Sequence, residues 1–216
     1  MMKLYFTSLC LVYCISVSAQ NSIPTILKFS PLAVYSGEWN KPEYARCNTA
    51  ENVNYMSVAE KNMIYVLNLV RANPKLFVNT VLLKYPGRSG QDHLLKDSFY
   101  FQSLVQTLLV LKPLSILQPD KECYSSAHCH ALLSGISGYV GHERQNIDCE
   151  RKTYFNGECC DYGHNDPVDI ILSLLIDEGV ESLGHRSICL GEYEKLGVSV
   201  QPHKVYGYNA VLDLHF

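Results

Sequence analysis

The sequence predicts an α+β domain, and the order of its patterned segments carries that prediction. Apolar residues recur at helical spacing in four stretches between about residue 58 and residue 176, whereas alternation of period two appears only near the C-terminus. Helices gathered ahead of strands are typical of a layered α+β domain. The chain has 216 residues, 47% of them hydrophobic and 18% charged, which fits one folded domain and argues against a disordered chain.

The first predicted helix starts beside Ser57. Ser57 followed by Glu60 is the capping-box pattern, in which each side chain accepts a hydrogen bond from the other residue's backbone N–H. Pro74 is expected to break or kink this helix, because proline lacks the backbone N–H that the helix needs. The apolar positions at helical spacing are Met63, Val66, Leu67, Val70, Phe77 and Val81. The segment ends at Pro86, and residues 87–97 are predicted to form a loop.

Three further helices are predicted along the middle of the chain. The apolar stretch 99–111 forms one, and residues 117–134 form the next. The third starts at Asp166, because the proline that follows suits the first helical position. Its apolar face runs to about residue 176, and Gly179 breaks it.

The remaining segments are predicted to be a turn, a loop and a hairpin. Residues 135–141 are glycine-rich and are predicted to form a turn. Residues 142–166 are predicted to form a polar, cysteine-bearing loop. Apolar residues then alternate over 196–200, a turn is expected at 202–204, and an apolar, Tyr-rich run covers 205–216. This last pattern predicts a β-hairpin whose second strand is largely buried.

The first residues of the chain have the pattern of an export signal. Lys3 supplies a positive charge, residues 4–17 are mostly apolar and uncharged, and small residues precede Gln20. The apolar run is shorter than the roughly 20 residues that a membrane span needs. The net charge of −3 favours neither nucleic acid nor an anionic membrane as a partner. We therefore expect a soluble secreted protein with no integral membrane segment. The predicted organisation is a signal peptide over 1–19, an N-terminal extension over 20–56, held in place through Cys47, and a folded domain over 57–216.

Cysteine usage points to the same compartment. Of the nine cysteines, Cys10 and Cys14 leave with the signal, so seven remain. Seven cysteines in an exported chain predict a disulfide-bonded protein with at least one cysteine left over. Cys159 and Cys160 are expected to bond to different partners, because a bridge between adjacent residues is strained. The spacing leaves the connectivity open.

Three stretches concentrate side chains that bind metals or move protons. They surround His142, Glu158 and the segment from Asp177 to His185. Neutral imidazole together with carboxylate oxygen suits a divalent ion, zinc most naturally, and the same groups suit acid–base chemistry. Their intervals match no general zinc pattern, so spacing alone leaves open that these are solvated loop groups and a hydrogen-bonded core histidine.

Another histidine-rich run, His128-Cys129-His130, lies on a predicted helix. Side chains two residues apart on a helix point away from each other, so this run is not predicted to be a metal site. We expect exposed histidines and a disulfide-bonded Cys129. His203, on the predicted hairpin turn, is also expected to be exposed.

Several motifs of the C-terminal half occur in the order typical of one family. The matching stretches are Asn68-Leu69-Val70-Arg71, Gly141-His142, Gly157-Glu158, Gly184-His185-Arg186 and Leu196-Gly197-Val198-Ser199-Val200. Through them, residues 60–216 resemble the CAP superfamily of cysteine-rich secretory, antigen 5 and pathogenesis-related proteins. The Gly-His-Arg stretch is similar to the bacterial-type SCP-like variant. The sequence departs from the family where Cys123, in the stretch 117–127 that resembles the family's second helix, replaces the usual Leu. It also departs where Cys159 replaces the usual Asn, and where Ile188-Cys189 replace the usual Asn-Ile.

This resemblance implies a three-layer α-β-α sandwich with a central cavity lined by two histidines and two acids. Carried over by motif, the histidines are His142 and His185 and the first acid is Glu158. The second acid is Asp177, with Glu178 as its rival; neighbouring helical positions point about 100° apart, so only one should face the cavity. Such a cluster holds a divalent ion in some family members. We therefore expect these four side chains either to ligate a zinc-like ion or to form a hydrogen-bonded network.

The resemblance implies binding more than catalysis. The expected ligand is a lipid or sterol, a peptide or an extracellular protein, met in a groove around the four side chains. The alternative is a metal-dependent extracellular hydrolase, in which the ion activates water and Glu158 or Asp177 acts as the base. The balance of these expectations favours a protein that is not an enzyme.

Overall fold

The structure is a computed structural model that describes Met1 and residues 29–86 and 97–216. All but the first residue of the predicted signal peptide over 1–19, and all but the last residue of the predicted loop over 87–97, lie outside the described residues. Short 3₁₀ helices occur at Gly37–Asn40 and Leu82–Lys84. The α-helices are α1 (Pro42–Ala45), α2 (Val58–Ala72), α3 (Pro74–Thr80), α4 (Phe99–Val110), α5 (Lys121–Ser137), α6 (Ile147–Glu150), α7 (Pro167–Ile176) and α8 (Gly184–Cys189), and the strands are β1 (Gln118–Pro119), β2 (Gly157–Tyr162), β3 (Lys195–His203) and β4 (Gly207–His215).

The four strands form one mixed sheet in the order β1-β3-β4-β2. The hairpin predicted at the C-terminus is present as the antiparallel pair β3 and β4. β1 adds a short parallel pairing to β3, and β2 runs antiparallel to β4. The register of β2 places Glu158 directly opposite Asp213, which brings two acidic residues together inside the sheet.

Helices cover both faces of this sheet, which confirms the α+β class. α5 packs against β3 and β4 on one face, where Ala127, Ala131, Cys160 and Val211 form a small apolar cluster. α2, α7 and α8 lie on the other face, over the larger apolar core. α5 approaches β3 closely at Gly197, where an added Cβ would lie 1.9 Å from the backbone nitrogen of Tyr124. That approach requires glycine.

Local sequence signals set the starts of α2, α3 and α7 as predicted. Ser57 and Glu60 form the complete capping box of α2, and α3 begins at Pro74. Asp166 caps α7 by accepting from the backbone N–H groups of Val168 and Asp169. The helix predicted over 117–134 starts later and ends later than expected: residues 118–119 form the strand β1, and α5 runs from Lys121 to three residues beyond the predicted end, where the left-handed Gly138 stops it.

Two segments differ from the prediction. Residues 142–166 are not one loop, because they contain α6 and the buried strand β2. The part of the N-terminal segment that the structure describes, 29–56, is not extended: it turns through short helices and buries Trp39, whose Nε1 donates to Thr80 Oγ1 at 2.9 Å. Cys47 does not hold it by a disulfide; the Cys47 thiol is free and buried, and its carbonyl accepts from Asn68.

The structure contains a disulfide bond between Cys129 of α5 and Cys149 of α6, with their Cα atoms 5.5 Å apart. This confirms that Cys129 is bridged. Within the described ranges, no helix is both long and apolar enough to cross a membrane.

Candidate functional site

The first histidine of the candidate site, His142, follows α5 on a loop. Its Nδ1 lies 2.9 Å from Oε1 of Glu158 on β2, and we call these two residues the sheet pair. The His142 side chain is 57% exposed, whereas the Glu158 side chain is 2% exposed. Gly141 enters the loop at φ 138°, a conformation that favours glycine, and its N–H donates to the hydroxyl of Tyr162. The imidazole therefore projects to the surface from a buried carboxylate.

Glu158 is held in its ionised form by its neighbours. Burial alone would raise its pKa, but hydrogen bonds from His142 and Arg144 hold that pKa at about 2. Arg144 Nη2 lies 2.6 Å from Glu158 Oε2 and 3.5 Å from Asp213 Oδ2. Burial and the neighbouring Glu158 charge raise the pKa of Asp213 well above its usual range. The buried carboxyl pair thus carries one negative charge, which Arg144 balances.

The ionised carboxylate fixes the tautomer of the first imidazole. An ionised carboxylate only accepts hydrogen bonds, so His142 Nδ1 carries the proton and Nε2 is the free ring nitrogen. The hydrogen bond to Glu158 raises the pKa of His142.

The second histidine, His185, lies in the first turn of α8. Its Nδ1 is 2.7 Å from Oδ1 of Asp177, and we call these two residues the helix pair. Oδ2 of Asp177 accepts from the backbone N–H of Arg186 at 3.2 Å. The side-chain exposures are 22% for His185 and 1% for Asp177. The helix pair therefore repeats the bond of the sheet pair in a less exposed setting.

The structure pairs Asp177, and not Glu178, with the second histidine. Asp177 is the residue after α7 and takes a left-handed conformation at φ 59°. We predicted the choice between Asp177 and Glu178 from the different directions of neighbouring positions on a helix. In the structure, Asp177 instead lies in the turn that ends α7, and this turn directs its side chain inward. Glu178 accepts a hydrogen bond from Ser98 instead.

The two pairs lie side by side. The ring centroids of His142 and His185 are 6.3 Å apart. Across the part of the chain that the structure describes, neither Nε2 has a hydrogen-bond partner. A cleft of about 900 Å³ adjoins the helix pair, with Asp177 and His185 in its wall. Other residues of its wall include Tyr35, Tyr85, Tyr162, Leu174, Ile176 and Val180.

A second group, which the sequence reasoning missed, lies beneath the sheet pair. The ligand atoms of His130, Glu158 and Cys160, the buried trio, lie within 4.8 Å of one another, so this group could hold a metal ion. The expectation that His130 is exposed is wrong, because α5 turns this residue toward the sheet. His130 follows Ala127 by three residues and precedes Ser134 by four, and that buried helical face was readable from the sequence.

Hydrogen bonds and burial determine the protonation of His130 and Cys160 in the buried trio. His130 Nε2 lies 2.9 Å from the carbonyl oxygen of Gly141, to which it donates. Burial lowers the pKa of His130 and raises the pKa of Cys160 well above the usual thiol range. Both groups are therefore neutral, and a metal ion there would have to displace the Cys160 proton.

Two further histidines, His203 and His164, also make hydrogen bonds through a ring nitrogen. His203 is buried and its Nε2 donates to the Tyr139 carbonyl, so its predicted exposure is wrong. His164 forms a third histidine–carboxylate contact, with Nδ1 3.0 Å from Asp161 Oδ2.

Comparison of the chain with protein-family models, curated proteins and solved structures finds no match. The resemblance to the CAP superfamily stays an expectation from the motifs, and the case for a function depends on the geometry of the two histidine pairs.

Proposed function

We propose that this chain is a secreted, CAP-like binding protein that holds a divalent metal ion between His142 and His185. The observation that carries the proposal is the repeated bond of the two pairs. In each, a buried carboxylate accepts from imidazole Nδ1, and the neighbouring Nε2 has no partner among the described residues. Histidines that ligate metals are commonly oriented by a carboxylate in this way.

The carboxylates act on the metal through the histidines. Glu158 and Asp177 hold the ring orientation and the tautomer, and they make each Nε2 more basic. This changes the expectation that all four side chains ligate the ion, because Oε1 of Glu158 and Oδ1 of Asp177 are engaged by the histidines. The proposed ligand set is the two Nε2 atoms together with water or a bound ligand.

The separation of the rings suits one ion after a small movement. With zinc–nitrogen bonds of about 2.0–2.1 Å at a tetrahedral angle, two imidazole centroids lie about 5 Å apart. The observed separation is 6.3 Å. His142 lies on a loop and is more than half exposed, so its ring has room to close the difference. Zinc is the proposed metal because imidazole is one of its preferred ligands.

The cleft supports ligand binding beside the ion. Two histidine ligands leave two positions of a tetrahedral zinc open. The volume of about 900 Å³ lies within the roughly 300–1,000 Å³ common for small-ligand pockets, and its wall mixes tyrosines with aliphatic residues. A lipid or sterol, a peptide or a segment of an extracellular protein is the proposed occupant.

The geometry gives the hydrolase alternative less support. A metal-dependent hydrolase needs a carboxylate or imidazole that is free to take a proton from the metal-bound water. Both carboxylates of the pairs already accept from the histidines, so neither is placed as a general base. We expect no hydrolytic turnover by the zinc-loaded protein on ester or peptide substrates.

Zinc calorimetry tests the proposal. The wild-type protein is compared with His142→Ala/His185→Ala, with Cys160→Ser and with His164→Ala as the matched histidine control. We expect binding at micromolar or tighter affinity that the double variant loses and the other two variants keep. Loss of binding in Cys160→Ser with retention in the double variant would place the metal in the buried trio instead. No binding by the wild type would overturn the metal site.

A further inference from the structure

Two of the unbridged cysteines in the described chain lie against each other. Cys159 belongs to β2 and Cys189 is the last residue of α8, and both are fully buried. Burial, and next a hydrogen bond with the neighbouring Cys189 thiol, raise the pKa of the Cys159 thiol well above its usual range. Neither takes part in the Cys129–Cys149 bridge.

The backbone places the two sulfur atoms independently of that hydrogen bond. Cys159 Sγ lies 3.7 Å from the carbonyl oxygen of His185. In an α-helix the carbonyl of one residue points toward the N–H of the residue four positions later, which here is Cys189. The Cys159 sulfur therefore meets α8 at the level of Cys189.

The neighbouring cysteine is directed away from this contact. Successive strand residues point to opposite faces of a sheet, so Cys160 faces α5 while Cys159 faces α8. Cys160 packs with the small apolar cluster under α5, and its sulfur lies 3.7 Å from His142 Nδ1. Cys160 does not compete for Cys189, and it provides a matched control.

We propose that Cys159 and Cys189 form a second disulfide bond, which ties β2 to α8. The two thiols lose two protons and two electrons, and a small-molecule disulfide such as oxidised glutathione accepts them and becomes two thiols. One cysteine thiolate attacks oxidised glutathione, which forms a mixed disulfide and releases one glutathione thiol. The second cysteine then attacks the protein sulfur of the mixed disulfide, which forms the Cys159–Cys189 bond and releases the second glutathione thiol. Because both sulfurs are buried after folding, the exchange takes place before β2 and α8 pack together.

This bridge joins the two halves of the proposed metal site. β2 carries Glu158 of the sheet pair, and α8 carries His185 of the helix pair. A covalent link between the strand and the helix fixes how far apart these halves lie. Cys159 and Cys189 also lie at two of the three departures from the motifs of the resemblance.

The inference rests on the export that the proposed function includes, since thiols stay reduced in the cytosol. It does not depend on metal binding. The Cys129–Cys149 bridge is an internal control for oxidation of the protein. If it is present while Cys159 and Cys189 stay reduced, the protein was oxidised and the proposed second bridge does not form.

Disulfide mapping tests the inference. The full chain is expressed in a secreting host, its free thiols are blocked in denaturant, and it is digested without reduction for mass spectrometry. We expect a linked peptide pair that contains Cys159 and Cys189 and separates on reduction. Because the peptide with Cys159 also contains Cys160, Cys160→Ser identifies the partner: it should keep the linked pair, and Cys159→Ser should lose it.

Several results would overturn the inference. One is that the blocking reagent labels both Cys159 and Cys189, which shows that both are reduced, while the Cys129–Cys149 bridge is intact. Another is a bridge from Cys159 to a different cysteine. Absence of both bridges would overturn the export together with the inference. A second measurement is thermal unfolding, in which Cys159→Ser/Cys189→Ser should melt roughly 5–10 °C below Cys160→Ser.

Discussion

The sheet pair and the helix pair make the same bond by different means. In the sheet pair, the Glu158 carboxylate is buried in β2 and is stabilised by hydrogen bonds from His142 and Arg144, and the Arg144 guanidinium at 2.6 Å supplies the balancing charge. In the helix pair, Asp177 is placed by a left-handed turn at the end of α7 and by a backbone N–H. One arrangement thus depends on a balanced charge network and the other on backbone conformation. Substitutions that remove charge should therefore affect the sheet pair and the helix pair differently.

The largest effect should come from removing the charge that balances the sheet pair. Arg144→Ala leaves Glu158 and Asp213 buried without their cation, and breaking a buried ion pair costs about 3–5 kcal/mol of stability. Urea unfolding measures this loss. Arg151→Ala is the control, because the contact of Arg151 with Asp148 is exposed and its loss should leave the midpoint unchanged. Equal stability of the two variants would contradict the charge-network account.

The next effect concerns metal affinity. Glu158→Gln and Asp177→Asn keep the shape of each carboxylate and remove its charge. Each should weaken zinc binding by about 10–100-fold, because carboxylates behind metal-bound histidines contribute that much to affinity. The two variants should differ in urea, since only Glu158→Gln disturbs a buried ion pair. Unchanged zinc affinity in both variants would show that the carboxylates do not act through the histidines.

A smaller effect is expected on the titration of the first histidine. The pKa of His142 is raised above 6.5, first by its hydrogen bond to Glu158. A raised pKa means that the folded state binds the proton more tightly than the unfolded chain. The resulting stability is fully present below pH 6.5 and is lost as pH rises through the raised pKa. Glu158→Gln should return the pKa of His142 toward its ordinary value.

Nuclear magnetic resonance titration of the His142 ring measures this shift in the metal-free protein. Protons also compete with zinc for Nε2, so zinc affinity should fall as pH is lowered through the pKa of His142. An identical His142 midpoint in wild type and Glu158→Gln would contradict the assigned hydrogen bond.

The smallest effect should come from the third histidine–carboxylate contact. His164 and Asp161 repeat the bond in the wall of the cleft that also contains His185, but His164 is not one of the two proposed metal ligands. His164→Ala should leave zinc affinity within about twofold, since one imidazole makes a weak site. Calorimetry of this variant checks that the paired arrangement, and not histidine content, provides the affinity.

The elements that follow local rules could be predicted from the sequence. The capping box at Ser57, the break at Pro74 and the start at Asp166 each depend on neighbouring residues, and all three are present. The alternation of apolar residues near the C-terminus was also sufficient to predict the β3–β4 hairpin. In each case the signal and the structure it determines lie within a few residues.

The elements that depend on tertiary contacts could not be predicted in the same way. β2 has no apolar alternation, because its buried Glu158 is charged and is paired with His142 and Arg144 of another segment. Asp177, and not Glu178, pairs with His185 because Asp177 has a left-handed backbone conformation. The sequence does not indicate this conformation, because the residue there is neither glycine nor asparagine. His130 is the exception, since its burial was readable from the helical face it shares with Ala127.

The central claim is that the imidazoles of His142 and His185, and not the buried trio, hold the metal. Absorption of the cobalt(II)-substituted protein tests it most directly, because a thiolate ligand adds intense near-ultraviolet charge-transfer bands. The account predicts visible cobalt bands without thiolate charge transfer, unchanged in Cys160→Ser and absent in His142→Ala/His185→Ala. A strong thiolate band that disappears in Cys160→Ser would contradict it.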